Sequence, residues 1–336
     1  MKKSAIILIS SLFVLLSACR KDNTFDGPSI AELNSTFKLN APFKASKDSV
    51  DFSASETVYF SAQFNKIVAW KLLVHGVQSK AVKVFQGQSK QIDISNANWN
   101  GSTSIFPVFR QELCKAQLII AETNDTFICN VYAQSPKTNQ GLLVTDFESG
   151  MNANWTKFIQ TGANMDFKIK SDAFSAQGAS YLNMAGTVNW DWLIGLIDFV
   201  PKAINSNYVV YPLNSNPQSV YFNCLVYGDA SVQNPSIILF QFKEDENADG
   251  IISANSEDEY DYQIKVDWSG WKLVSVRYAD VVTLVNGSPS TPNGNAVHNP
   301  DKIGKISMLH LADKTGGFAS TKIDYIMFSD NQPIQP

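Results

Sequence analysis

The stretch Phe242-Lys243-Glu244-Asp245-Glu246-Asn247-Ala248-Asp249-Gly250-Ile251-Ile252, closed by Glu257-Asp258-Glu259-Tyr260, decides how this chain is read. Asp245, Asn247 and Asp249 place side-chain oxygens at alternate positions, Gly250 allows a sharp turn, and the carbonyl of Ile251 offers a backbone oxygen. Hard cations such as Ca²⁺ are held by this kind of oxygen set. The loop departs from a helix-flanked calcium loop at its end, where Ser256 stands in the place of the bidentate Glu, with Glu257 and Asp258 just beyond. Its flanks, 236–242 and 259–266, alternate apolar and polar residues with the period of two that marks strands. The reading is a β-hairpin connection stapled by a structural calcium, with Asp245, Asn247, Asp249, Ile251, Glu257 and Asp258 as ligands.

Outward from this loop the chain is β-patterned throughout. Aromatics make up 12% of 336 residues, the formal net charge is -4, and long helical periodicities are absent. No basic stripe exists to follow a phosphate backbone, which argues against nucleic acid as a partner. Residues 1–18 have the order of a signal peptide: Lys2 and Lys3, then an apolar run over 5–16. Leu16-Ser17-Ala18-Cys19 resembles the lipobox of bacterial lipoproteins, which implies cleavage before Cys19 and lipidation of that residue. Residues 19–28 then form a polar tether. After Cys19, Cys114, Cys129 and Cys224 remain, an odd number that excludes a complete disulfide framework. Cys114 and Cys129 flank a predicted hairpin, and whether they are bridged stays open.

Residues 29–133 carry short alternating runs at 36–39, 49–52, 57–64, 67–75, 81–85, 91–94, 105–110, 117–121 and 126–132. That spacing predicts an immunoglobulin-like sandwich with Trp70 in its core. It contains no catalytic constellation, and its expected role is a spacer. The polar segment 134–141, with Pro136 and Gly141, is the predicted linker.

Residues 142–332 open on Asp146-Phe147-Glu148 followed by Trp155, continue through Gly178-Ala179-Ser180-Tyr181-Leu182, and close on Ile323-Asp324-Tyr325-Ile326-Met327-Phe328. This order resembles the jelly rolls of galactose-binding-like and carbohydrate-binding modules. In that family an acidic residue of the opening strand and an Asp of the last strand share a structural calcium. The resemblance implies those roles for Glu148 and Asp324. The expected fold class is therefore all-β: an Ig-like sandwich followed by a calcium-stabilised jelly roll.

Asn189-Trp190-Asp191-Trp192 sets two indoles two residues apart, on one face if extended, with amide and carboxylate on the other. Indole faces stack on sugar C–H faces and polar neighbours read hydroxyls. Trp190, Trp192, Asn189 and Asp191 are thus the expected glycan-binding residues, with Trp155 and Tyr227 as additions. Trp268 and Trp271 are expected to pack in the core. No Gly-x-Ser-x-Gly elbow, His-Glu-x-x-His helix or phosphate loop occurs, and His75, His298 and His310 lack spaced partners. The order of parts is similar to surface glycan-binding lipoproteins of Gram-negative polysaccharide-uptake systems. It implies an outer-membrane, outward-facing protein that binds a poly- or oligosaccharide beside a transporter. An adhesin of the same architecture is the second reading. A glycoside hydrolase is the third, and would require two carboxylates facing across a cleft.

Overall fold

A computed structural model of the protein describes residues 35–188, 193–229, 231, 236–312 and 317–336. The signal, the tether and Cys19 lie outside these residues. Among the described residues no helix is long and apolar enough to cross a membrane. The fold is all-β, in two units.

The first unit contains β1 (Leu39–Ala45), β2 (Ser49–Asp51), β3 (Val58–Gly76), β4 (Val82–Ile92), β5 (Asn98–Trp99), β6 (Glu112–Ile120) and β7 (Thr126–Ser135). The two runs predicted at 57–64 and 67–75 are one strand of 19 residues, buried at every second position over its whole length. Asn65-Lys66 is not a turn. Lys66 is buried on the inward side, where its ammonium meets Glu122 at 3.0 Å, so the alternation is never broken. β3 pairs with β1, β4, β5 and β6, so these strands share one sheet folded round a single core instead of the two separate sheets expected. The strand predicted at 105–110 is reduced to an isolated bridge between Ile105 and Val82. Trp70 is buried as expected, donating Nε1–H to Ser89 Oγ at 2.9 Å. Trp99 is fully buried between Phe52 and Phe109. Cys114, Cys129 and Cys224 are free thiols. Cys114 pairs in register with Val131, two residues from Cys129, and burial pushes its thiol up to about 12.

The second unit is a sandwich. One six-stranded sheet contains β8 (Leu142–Thr145), β10 (Asn164–Ser171), β11 (Ser180–Val188), β13 (Val220–Gly228), β16 (Gly270–Arg277) and β20 (Gly317–Asp330). The facing five-stranded sheet contains β9 (Thr156–Ile159), β12 (Leu193–Phe199), β14 (Ser236–Glu244), β15 (Glu259–Val266) and β19 (Ile303–Leu311). The small hairpin of β17 (Thr283–Val285) and β18 (Ser288–Ser290) stands apart. The chain crosses repeatedly between the two sheets, as a jelly roll does. β14 alternates buried and half-buried over all nine residues and pairs antiparallel with β15, so the strand flanks of the acidic loop are as predicted. Even-numbered residues of β13, including Phe222 and Val226, meet Ile238, Phe240 and Phe242 of the opposite sheet in one core. The odd-numbered Tyr227 therefore stands on the outer face.

The units touch directly. Val108 donates its backbone N–H to Ala176 O at 2.9 Å, and Arg110 Nη2 donates to Ser175 Oγ at 2.8 Å. In the segment between them, Asn139 Nδ2 lies 3.4 Å from Tyr325 Oη and Lys137 Nζ donates to Gln335 O.

Candidate functional site

Of the residues expected to bind glycan, Asn189, Trp190, Asp191 and Trp192 lie outside the described residues. Trp155 packs edge-on to Phe199 at 5.0 Å and to Phe147 at 6.0 Å, against the sandwich core, with its indole N–H buried. It is half-buried and stands away from Tyr227, lining a separate cleft with Asp146 and Asn152. Tyr227 is different. Strand register aligns Trp271 of β16, Tyr227 of β13, Lys322 of β20 and Asn183 of β11 in one row across the six-stranded sheet. Side chains directly opposite across strands lie close enough to form one surface.

Aromatic contacts join this row into a platform. Trp271 lies 5.5 Å from Tyr227 and 6.2 Å from Tyr181, with rings near perpendicular. The loop after β10 folds Phe174 over the row, 4.8 Å from Tyr227, and the Phe174 carbonyl accepts the Trp271 indole N–H at 2.8 Å. Lys322 Nζ sits 4.4 Å from the Tyr227 ring centre and 5.0 Å from that of Phe174, in the range of a cation–π contact. Phe174 is 44% exposed. Asn183 is buried within the row, its Nδ2 3.4 Å from Asp166 Oδ2, and the exposed Asp172, which accepts the Tyr181 hydroxyl at 3.1 Å, stands at the edge of the platform. Burial, with Asp229 nearby, holds the Tyr227 phenol above its ordinary value, so the ring stays neutral.

Trp271, expected in the core, lies on the outer face of the sheet beside Tyr227. Trp268 does pack against the core, but within β16 Val274 faces the core, and Trp271, an odd three residues before it in the same strand, faces the other way. That parity was available in the sequence. Nothing local in the sequence marks Phe174 or Lys322, whose places depend on a loop fold and on register.

The acidic loop uses most of its expected ligands on itself. Asp245 accepts the N–H groups of Asp249 at 3.1 Å and Gly250 at 2.8 Å; Asn247 Oδ1 accepts the Asp249 N–H at 2.9 Å; Asp249 accepts that of Ile251 at 2.8 Å. Glu257 accepts the N–H groups of Ser253 at 2.6 Å and Glu246 at 3.1 Å. The carboxylates that do converge are Glu244, Glu246 and Asp258, each offering an oxygen within 4.8 Å of the others. This buried acidic triad can hold a metal. Of the residues expected to bind calcium in the loop, only Asp258 belongs to it. Burial pushes Glu244 up to about 8, against hydrogen bonds from Asn299 N–H and Tyr278 Oη, with Asp258 and Glu246 adding to the rise.

Glu148 and Asp324 are brought to the same loop, 176–180. Asp324 is fully buried and its Oδ2 accepts the N–H groups of Ala176 at 3.1 Å and Gln177 at 2.9 Å. Glu148 Oε1 accepts those of Ala179 at 2.8 Å and Ser180 at 2.7 Å. Asp324 Oδ1 is buried without a partner, and burial raises this carboxyl to about 8, with the neighbouring Glu148 contributing. An orphaned buried oxygen beside a second carboxylate fits a cation.

No protein-family model and no curated protein matches the chain. Among solved structures, it is similar to the family 11 carbohydrate-binding module of the cellulosomal cellulase Lic26A-Cel5E of Clostridium thermocellum, at 15% identity, over 59% of this chain and 98% of that one, with a TM-score of 0.39. It is also similar to the CBM22-1 xylan-binding domain from Paenibacillus barcinonensis Xyn10C, at 12% identity, over 59% and 99%, with a TM-score of 0.33. SGBP-B from a complex xyloglucan utilization locus in Bacteroides uniformis matches at 11% identity, over 86% and 74%, with a TM-score of 0.32. These values are too low to transfer a binding residue or a ligand.

Proposed function

We propose that this protein binds a polysaccharide or oligosaccharide without breaking bonds, on the outer face of the six-stranded sheet. The observation that carries the reading is the cross-strand row Trp271, Tyr227, Lys322 and Asn183, with Phe174 folded over it. Small-molecule sites pair aromatic surface with a few placed polar groups. Here the Tyr227, Trp271 and Phe174 rings supply apolar faces for sugar C–H groups. Asp172 and the Lys322 ammonium supply an acceptor and a donor for hydroxyls. Trp190 and Trp192, with Asn189 and Asp191, are proposed as a further part of the same function. So are the lipid anchor at Cys19, the outward-facing outer-membrane location and the neighbouring transporter.

A structural calcium is proposed at Glu148 and Asp324. The ion would neutralise the two carboxylates. These residues already hold the loop 172–180 by four backbone hydrogen bonds, and that loop places Phe174.

The test is electrophoresis through gels that each contain one neutral polysaccharide. At least one polysaccharide is expected to retard the wild-type protein, and Tyr227→Ala and Trp271→Ala to abolish the retardation. Retardation that persists in both variants would place the site elsewhere; in that case loss with Trp190→Ala or Trp192→Ala would locate it there. Arg110, reaching the Phe174 loop from the first unit, gives a smaller prediction. Arg110→Ala removes a charge-assisted hydrogen bond of about 1.5–3 kcal/mol, and part of this is expected in affinity, as a several-fold rise in Kd by calorimetry. An unchanged Kd would return the first unit to the role of spacer.

A further inference from the structure

We propose that Glu244, Glu246 and Asp258 form a calcium site of their own, separate from Glu148 and Asp324, which ties the β14–β15 connection to the loop 293–299. Three carboxylates place oxygens within 4.8 Å of one another, and Glu244 and Asp258 are buried. No lysine or arginine among the described residues pairs with any of the three. Ca²⁺ binds oxygens at about 2.3–2.6 Å, so two ligands on opposite sides of one ion stand about 4.8 Å apart. The three oxygens therefore lie within the span of one ion's ligand shell.

The second observation is Glu244 itself. Its Oε1 is satisfied, accepting the Asn299 N–H at 2.7 Å and the Tyr278 hydroxyl at 2.8 Å. Its Oε2 is buried with no partner, in a residue that is 0% exposed. An unpaired buried carboxylate oxygen is costly, and a cation is the partner that satisfies it beside two further negative charges. The other walls are already fixed around the triad. Gly294 N–H donates to Asp258 Oδ1 at 2.6 Å and Asn295 N–H to Glu246 Oε1 at 3.2 Å. A Cβ on Gly294 would stand 2.5 Å from Glu246 Oε1 and 2.8 Å from Asp258 Oδ1, so the Gly294 backbone lies directly against both carboxylates. Asp258 also lines a cleft of about 260 Å³ between the acidic loop and the β17–β18 hairpin, which gives the ion a route from solvent.

Terbium is the probe, because it replaces calcium and is excited through nearby phenols. Tyr278 and Tyr260 hydrogen-bond Glu244 and Asp258 directly. The purified protein, freed of metal by chelator and dialysis, is expected to give tyrosine-sensitised terbium emission that calcium displaces. Glu246→Gln, at a partly exposed position, should lower the emission tenfold or more while its melting temperature in chelator matches the wild type. Asp258→Asn should do the same, and Asp324→Asn should leave the emission in place. The proposal is overturned by absent emission, by emission that calcium does not displace, by full emission in both Glu246→Gln and Asp258→Asn, or by emission lost with Asp324→Asn.

Discussion

Phe222→Ala is expected to destabilise the protein by about 3–5 kcal/mol, the usual cost of removing a fully buried phenylalanine. Phe222 stands where the two sheets of the second unit meet, with ring centres 4.7 Å from Phe240, 5.0 Å from Phe242 and 5.5 Å from Phe328. The loss combines the transfer energy of the ring with the cavity left among three aromatic neighbours, none of which can turn to fill it without leaving its own contacts. For a unit of this size the melting temperature should fall by about 6–20 °C. Phe222→Leu keeps more of the volume and should cost less. A calorimetric shift under about 3 °C for Phe222→Ala would show that this ring is not central to the packing.

Acidification should act through His310. The ring is completely buried in β19, contacts Ser236 Oγ through Nε2 at 3.0 Å, and has its Nδ1 buried without a partner. Burial disfavours the imidazolium and pulls the folded-state value from 6.5 down to about 3. Above pH 6.5 neither state binds the proton, so the neutral ring's contribution is complete. Between 6.5 and about 3 the unfolded chain takes up a proton that the folded protein refuses, and stability falls with pH. The slope is about 1.4 kcal/mol per pH unit, so by about pH 4 roughly 3 kcal/mol is lost. Glu244 and Asp324, both held near 8, act in the opposite sense as pH falls from about 8, since the folded state then binds protons the unfolded chain does not. The His310 contribution is therefore read as a difference. His310→Gln cannot charge, and relative to it the wild type should lose about 3 kcal/mol between pH 7 and about pH 4 in urea titrations. A difference that stays constant with pH would mean the ring is protonated in the folded protein.

Period-two patterning made much of the fold legible. Residues 259–266 alternate without a break and form β15, which pairs with β14, where the apolar run 237–240 leads into the alternating 241–243. The same rule failed at Asn65-Lys66, because a lysine looks like a turn residue until its distant partner Glu122 is known. The acidic loop shows the same limit more sharply. Its oxygen spacing was visible, yet Asp245, Asn247 and Asp249 satisfy N–H groups of their own loop, a competition that no residue count reveals. Glu244 and Glu246 did carry a signal, being two apart and so on one face of an extended chain. The convergence of Asp258 and the loop of Gly294 and Asn299 upon them depends on segments far apart in sequence. Of the proposed binding platform, Tyr227 was read from the sequence and the outward face of Trp271 was legible from its parity with Val274, whereas Lys322 joins them only through strand register.

Calorimetric titration with the polysaccharide that retards the protein, using the wild type and Trp271→Ala side by side, tests the central claim most directly. Truncating an aromatic anchor at the centre of an interface costs about 2 kcal/mol or more, or roughly 30-fold in Kd. Trp271 is half-buried and lies outside the core cluster, so its removal should leave the melting temperature close to the wild type. A Kd raised about 30-fold at unchanged stability is expected; equal Kd values for the two proteins would contradict glycan binding on this face.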